Sequence, residues 1–213
     1  MCAFRILVGL AFATISVLAT SASSDEIEVD GEILHVSVPD GYCKLDRQKP
    51  HEAKLMDMLN GFRTDRFVII HLMRCDMLDL QRSNTFTLDT HLVVVSARAR
   101  DGVVARSNVP RADFLRRMQD SIPPIDRDDV EHLMKREFSQ VPSWRASGLL
   151  EADDSAVYRG EMIGDDHTYL VAYTLLRGMA IIVESLDSGL PSGFEPQLVV
   201  LRPFMAKLVE ENP

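Results

Sequence analysis

The hydrophobic and polar positions near the start of the chain follow two different periods. Residues 27–38 alternate with the two-residue period of half-buried strands, and Asp30-Gly31 supplies the turn of a hairpin. Apolar residues then recur at three- and four-residue steps over 55–62. This spacing predicts a helix that starts at Pro50, a residue suited to a first helical turn, and stops near Gly61.

Strands and helices follow in blocks along the rest of the chain. Runs of β-branched and apolar residues predict strands at 66–73, 88–99, 156–163, 167–176 and 179–186. Helical spacing predicts a short helical turn at 77–82 and helices at 110–122, 126–138 and 197–208, the last with Pro203 inside it. The pattern therefore predicts an α+β fold, a mainly antiparallel sheet with helices packed on it.

Two stretches carry a resemblance to known proteins. The sequence T-Y-L-V-A-Y-T-L-L-R-G-M-A-I-I-V-E-S-L, followed by a helix, resembles the α/β/α sandwich of the Mog1/PsbP-like superfamily, which includes a periplasmic bacterial branch. The stretch V-P-D-G-Y-C-K-L-D is similar to uncharacterised exported proteins of Gram-negative bacteria. The resemblance is one of topology and implies an α/β/α sandwich that acts in binding or assembly. It brings no catalytic residue with it.

The first 22 residues have the composition of a secretory signal peptide. Arg5 makes the start weakly positive, residues 6–19 are apolar, and Thr20-Ser21-Ala22 supplies small side chains before a cleavage site. The apolar run is short for a membrane span, and no basic stop-transfer cluster follows it. The sequence therefore predicts a signal peptide at 1–22 and a single α+β domain at 23–213. The mature protein should be periplasmic or otherwise extracytoplasmic, with no membrane span after processing.

The charge balance narrows the class of partner. The chain has 32 acidic and 23 basic residues, a net charge of −9, and loss of Arg5 with the signal peptide leaves 32 against 22. Nucleic acid and anionic membrane surfaces attract basic proteins, so neither is expected as a partner. A protein of the cell envelope is a possible partner, and the sequence leaves the ligand and the oligomeric state open.

Two cysteines, Cys43 and Cys75, remain in the mature chain, because Cys2 departs with the signal peptide. In an exported protein such a pair most often forms a disulfide bond. Two buried free thiols remain an alternative. A catalytic dithiol is disfavoured because the C-x-x-C spacing of redox sites is absent.

The sequence contains few residues that suggest a catalytic or binding site. The sequence has no nucleophile elbow, zinc-protease motif, phosphate-binding loop or dinucleotide fingerprint, so it predicts no catalytic residue, no metal site and no cofactor. His71 lies inside an apolar strand, and Asp165, Asp166 and His167 stand side by side in a turn. These four residues are candidates for ligand binding. A hydrogen-bonded sheet histidine and a solvated turn are the structural alternatives.

Two functions follow from this reading. The first is an exported soluble protein without enzymatic activity that acts as a binding or assembly module in the cell envelope. The alternative is a periplasmic hydrolase whose active site follows no known motif. A pocket that gathers His71, His167 and a carboxylate would favour the hydrolase, and separate locations for the two histidines would favour the binding module.

We expect the mature protein to begin at Ser23, because the small residues before it meet the requirements of signal peptidase. N-terminal sequencing or intact mass of the exported protein checks this cleavage site. Material from the extracytoplasmic fraction that still begins at Met1 would contradict it.

Overall fold

The structure is a computed structural model that describes residues 24–61, 65–82, 92–100, 102–125, 147–163, 167–187 and 194–213. Its helices are α1 (Pro50–Asn60), α2 (Cys75–Arg82), α3 (Arg111–Ser121) and α4 (Glu195–Glu211). Its strands are β1 (Ser24–Val29), β2 (Glu32–Ser37), β3 (Tyr42–Lys44), β4 (Arg66–Arg74), β5 (Leu92–Arg100), β6 (Val103–Val104), β7 (Ser147–Ala152), β8 (Val157–Ile163), β9 (His167–Leu176) and β10 (Met179–Asp187).

Eight of these strands form one antiparallel sheet. The strand order is β3-β4-β5-β10-β9-β8-β7, and β6 pairs with the end of β5. Every pairing between these strands is antiparallel. The predicted α+β class with a mainly antiparallel sheet is therefore confirmed.

The N-terminal hairpin of β1 and β2 forms a separate two-stranded sheet, as its alternation predicted. Val29 pairs with Glu32, so Asp30 and Gly31 alone make the turn. Both turn residues have positive φ, 52° for Asp30 and 80° for Gly31. This is the backbone that a two-residue hairpin turn requires, and it explains why Asp-Gly stands here.

The helices pack on both faces of the large sheet. Leu72 of β4 and Val93 of β5 belong to the larger apolar core, which also contains α4 and the hairpin. The next residues along the two strands, Met73 and Val94, belong to a second core with α1 and α2. Because successive side chains of a strand point to opposite faces, the two cores lie on opposite sides of the sheet.

The disulfide bond between Cys43 and Cys75 is confirmed. The two Sγ atoms are 2.06 Å apart and the two Cα atoms 5.0 Å apart. Cys43 pairs with Met73 across β3 and β4, and the backbone N–H of Cys75 donates to the carbonyl oxygen of Gly41. The bond therefore closes the loop that contains α1 at the edge of the sheet.

Some details differ from the sequence prediction. Met58 was expected on the buried face of α1 but is 40% exposed, while Glu52 is buried there. The buried carboxylate of Glu52 accepts a hydrogen bond from the backbone N–H of Asp46 at 2.7 Å, which explains why a charged side chain can take a core position.

Helix α2 is longer than the expected turn, and the short strands β3, β6 and β7 were not predicted. The predicted helix at 126–138 lies outside the described residues.

None of the four helices described above combines the length and the apolar composition needed to cross a membrane.

We expect reduction of the disulfide bond, or the double change Cys43→Ser and Cys75→Ser, to lower the free energy of unfolding by about 3 kcal/mol, because the bond restricts the unfolded chain. Urea unfolding with and without a reducing agent measures the loss. The double variant should show no further loss on reduction. Equal stability of the oxidised and reduced wild-type protein would contradict the prediction.

Candidate functional site

Two adjoining cavities lie along one side of α4 and have volumes of about 380 Å³ and about 590 Å³. Both include Asp40 and Val200, so they form one continuous surface, which we call the α4 groove. The first cavity is lined by Ser37, Val38, Pro39, Asp40, Val199, Val200, Pro203, Phe204 and Lys207. The second is lined by Asp40, Gly41, Tyr42, Arg74, Cys75, Asp76, Pro196 and Val200.

The turn between β2 and β3 forms one wall of the groove. The backbone N–H of Tyr42 donates to the carbonyl oxygen of Pro39 at 3.0 Å, and Gly41 has φ of 79°. A positive φ at the third position of a four-residue turn is strongly disfavoured for residues with a side chain, so glycine is required there. The turn places Asp40 at its exposed tip, at the junction of the two cavities.

The opposite wall is the outer side of α4. The inner side of this helix is buried in the larger core through Leu198, Leu201, Met205 and Leu208, as the helical spacing predicted. Val199 and Pro203, one turn apart, face the groove, and Val199 is 61% exposed. The two residues extend the apolar surface of Val38 and Pro39 into a continuous patch.

The C-terminal end of α4 is attached to the hairpin by Asn212. The side-chain Oδ1 of Asn212 accepts a hydrogen bond from the backbone N–H of His35 at 2.9 Å, and its Nδ2 donates to the carbonyl oxygen of His35 at 2.7 Å. The same Nδ2 also donates to the carbonyl oxygen of Leu208. The amide thus pairs with β2 as a neighbouring strand would, and it fixes the distance between the two walls.

A bidentate ion pair attaches the middle of α4 to the main sheet. Arg202 donates two hydrogen bonds to the carboxylate of Glu151 on β7, at 2.6 and 2.7 Å, and a third to Glu195. These hydrogen bonds hold the pKa of Glu151 below its ordinary value. The wall formed by α4 is therefore fixed at both the hairpin and the sheet.

The positively charged side chains that line the groove form ion pairs with carboxylates of the protein itself. Arg74 donates two hydrogen bonds to Asp76, and this interaction holds the pKa of the Asp76 carboxyl below its ordinary value. Lys207 donates to Glu210 at 3.1 Å, which raises the pKa of its ammonium group, and it lies 3.6 Å from Glu211. Each positive charge in the groove therefore has a negative neighbour.

His71 lies in the middle of the sheet, away from the groove. It pairs with Val94, which in turn pairs with Glu184 on β10, so His71 and Glu184 flank Val94 on one face. His71 and Glu184 are each 2% exposed, and Glu184 forms an ion pair with Arg66. A group this deeply buried does not meet a ligand from solution in this conformation. Sequence reasoning missed Glu184, although a carboxylate inside an apolar strand could have pointed to it.

The other sequence candidates lie elsewhere. His167 begins β9, which is three strands from β4, or about 14 Å at the usual strand spacing. Within β9 it lies four residues from Val171, the residue level with His71, or about 13 Å along the strand. The backbone positions of the two histidines are thus about 19 Å apart. Asp165 and Asp166 lie outside the described residues.

A third cavity of about 610 Å³ lies between α3 and the end of β7. Its charged residues are Arg111, Arg116, Asp153 and Asp154. The carboxylate of Asp153 already accepts hydrogen bonds from two backbone N–H groups and from the hydroxyl of Tyr158. Asp153 therefore stabilises the connection between β7 and β8, and this cavity is a weaker candidate than the α4 groove.

In comparisons with known proteins, no protein-family model matches the chain, and no curated protein gives a significant match. The assignment of a function therefore rests on the geometry of the chain itself.

We expect Asn212→Ala to lower the free energy of unfolding by about 2 kcal/mol, because it leaves the backbone N–H and C=O of His35 without their partner. Urea unfolding measures the effect. The exposed neighbour Glu210 provides the control, since Glu210→Ala should change stability by less than about 0.5 kcal/mol. Equal stability of the two variants would contradict this role of Asn212.

Proposed function

We propose that the protein is an exported, non-enzymatic binding or assembly module of the cell envelope, and that the α4 groove is its binding surface. The observation that carries the proposal is the groove itself. It is a continuous, mainly apolar surface between a fixed helix and a rigid turn. Clefts of this volume that are lined mainly by apolar side chains, with a few polar groups, are typical of binding sites.

Export is supported by the signal-like composition of residues 1–22 and by the disulfide bond. Structural disulfides persist in oxidising compartments such as the bacterial periplasm and are rare in the cytosol. The resemblance to the Mog1/PsbP-like superfamily points to the same kind of role, and it stays a prediction.

The separation of the two candidate histidines supports binding over hydrolysis. General acid–base chemistry needs a titratable side chain within hydrogen-bond reach of a substrate. His71 is buried, and the backbone of His167 lies about 19 Å from that of His71. Among the described residues that line the groove there is no histidine, and its apolar side chains and carboxylates suit the recognition of a partner.

The test is site-specific photo-crosslinking in cells that export the protein. A photoreactive amino acid replaces Val199 in the groove or, as the matched control, Val103 on β6, which is 65% exposed and does not line the groove. We expect a discrete adduct from position 199 that is absent from position 103. Mapping the adduct by mass spectrometry should place the crosslink in the groove.

The same adducts from both positions, or none from position 199, would contradict the assignment of this surface as the binding site. A catalytic activity that depends on His71 or His167 would favour the hydrolase instead.

A further inference from the structure

The charge inside the α4 groove is unbalanced at one position. Arg74 and Lys207 are both engaged by carboxylates of the protein. Among the described residues, no cation lies within ion-pair distance of Asp40, although Asp40 occupies the exposed turn where the two cavities meet. The groove therefore presents one uncompensated negative charge at its centre.

The backbone of α4 contains one carbonyl group without its helical donor. In a regular helix the carbonyl oxygen of Val199 would accept from the N–H of residue 203. Residue 203 is a proline and has no N–H, so this carbonyl lacks its helical donor. Val199 and Pro203 both line the groove.

We propose that the α4 groove binds an extended segment of a partner protein that carries a lysine or arginine next to a pair of apolar side chains. The cation lies against Asp40, and the apolar side chains pack between Pro39 and the Val199–Pro203 face of α4. This inference rests on the proposed function and names the chemistry of the partner at the same site.

Shape and net charge agree with such a partner. Each cavity has the volume of a small-molecule site, but the two are continuous through Asp40 and Val200, which suits a chain that crosses both. The net charge of −9 favours association with a basic segment over an acidic one. A lysine or arginine side chain also combines an apolar stem with a charged end, so one residue can use both features of the groove.

The experiment selects binders to the oxidised mature protein from a displayed library of random twelve-residue peptides. We expect the selected sequences to be enriched in lysine or arginine next to apolar residues. Each selected peptide is then synthesised together with a control peptide in which the basic residue is replaced by glutamate. Fluorescence anisotropy should show that this replacement weakens binding about tenfold or more, since it places two negative charges together.

Variants of the protein test the two features of the groove separately. Val199→Asp should weaken binding about tenfold or more, because it places a charge in the apolar contact. Asp40→Asn should weaken it about two- to fivefold, the range of an exposed ion pair, and added salt should have the same effect. The matched controls are Val103→Asp and Asp120→Asn, which change an exposed valine and an exposed aspartate outside the groove. All four variants should keep the wild-type melting temperature within a few degrees.

The outcomes separate this inference from the proposed function. Peptides whose binding depends on Val199 but neither on Asp40 nor on a basic residue overturn the partner chemistry and leave the binding module in place. Concentration-dependent self-association that Val199→Asp abolishes identifies a second copy of the chain as the occupant and also overturns it. Failure to obtain any peptide whose binding depends on Val199 overturns the partner chemistry, and only the additional absence of a crosslink from position 199 overturns the proposed binding surface.

Discussion

The burial of one side of α4 between the main sheet and the N-terminal hairpin is the constraint on which the rest of the structure depends. Leu198, Leu201, Met205 and Leu208 join the sheet and the hairpin into one core. A fully buried leucine or methionine stabilises a fold by about 1.5–3 kcal/mol, so these four side chains outweigh any single polar contact in the described chain. Asn212 and Arg202 then fix where the helix ends and how it meets β7. The groove exists because the turn between β2 and β3 and the outer side of α4 are held next to each other.

The disulfide bond connects this arrangement to the second core. Cys75 is the first residue of α2 and lines the groove, while Cys43 lies on the edge strand β3. The bond closes the loop that contains α1, whose Leu55 and Leu59 pack against Met73 on the other face of the sheet. One covalent link therefore stabilises the edge of the sheet, the second core and one end of the groove together.

The pair formed by Glu184 and Arg66 shows why a buried charge need not mark an active site. Glu184 lies in a central strand of the sheet, where an unpaired carboxylate would cost several kcal/mol. The guanidinium group of Arg66, from β4, compensates that charge. A buried pair of this kind contributes little net stability, but removal of one partner alone is costly. The ion pair lies inside the sheet next to the buried His71, and neither is part of the α4 groove.

The sequence by itself determined the elements whose signals are local. The Asp30-Gly31 turn, the helix that starts at Pro50, the last three strands and the buried side of α4 all follow from spacing and turn chemistry within about ten residues. The pairing of Cys43 with Cys75 was also predictable, because the third cysteine, Cys2, falls within the predicted signal peptide. Short strands such as β3 and β6 escaped prediction, since two or three residues carry too little pattern and form only beside an existing neighbour.

Only the tertiary structure decided which residues meet at the candidate site. Asp40 and Val199 are far apart in sequence. They line the same groove only because α4 packs against the hairpin. The burial of His71, and the distance between its backbone and that of His167, follow from strand order and register, which no local pattern encodes. The sequence therefore pointed to histidines and an acidic turn as candidate site residues, whereas the surface proposed for binding is built from residues of a turn and a distant helix.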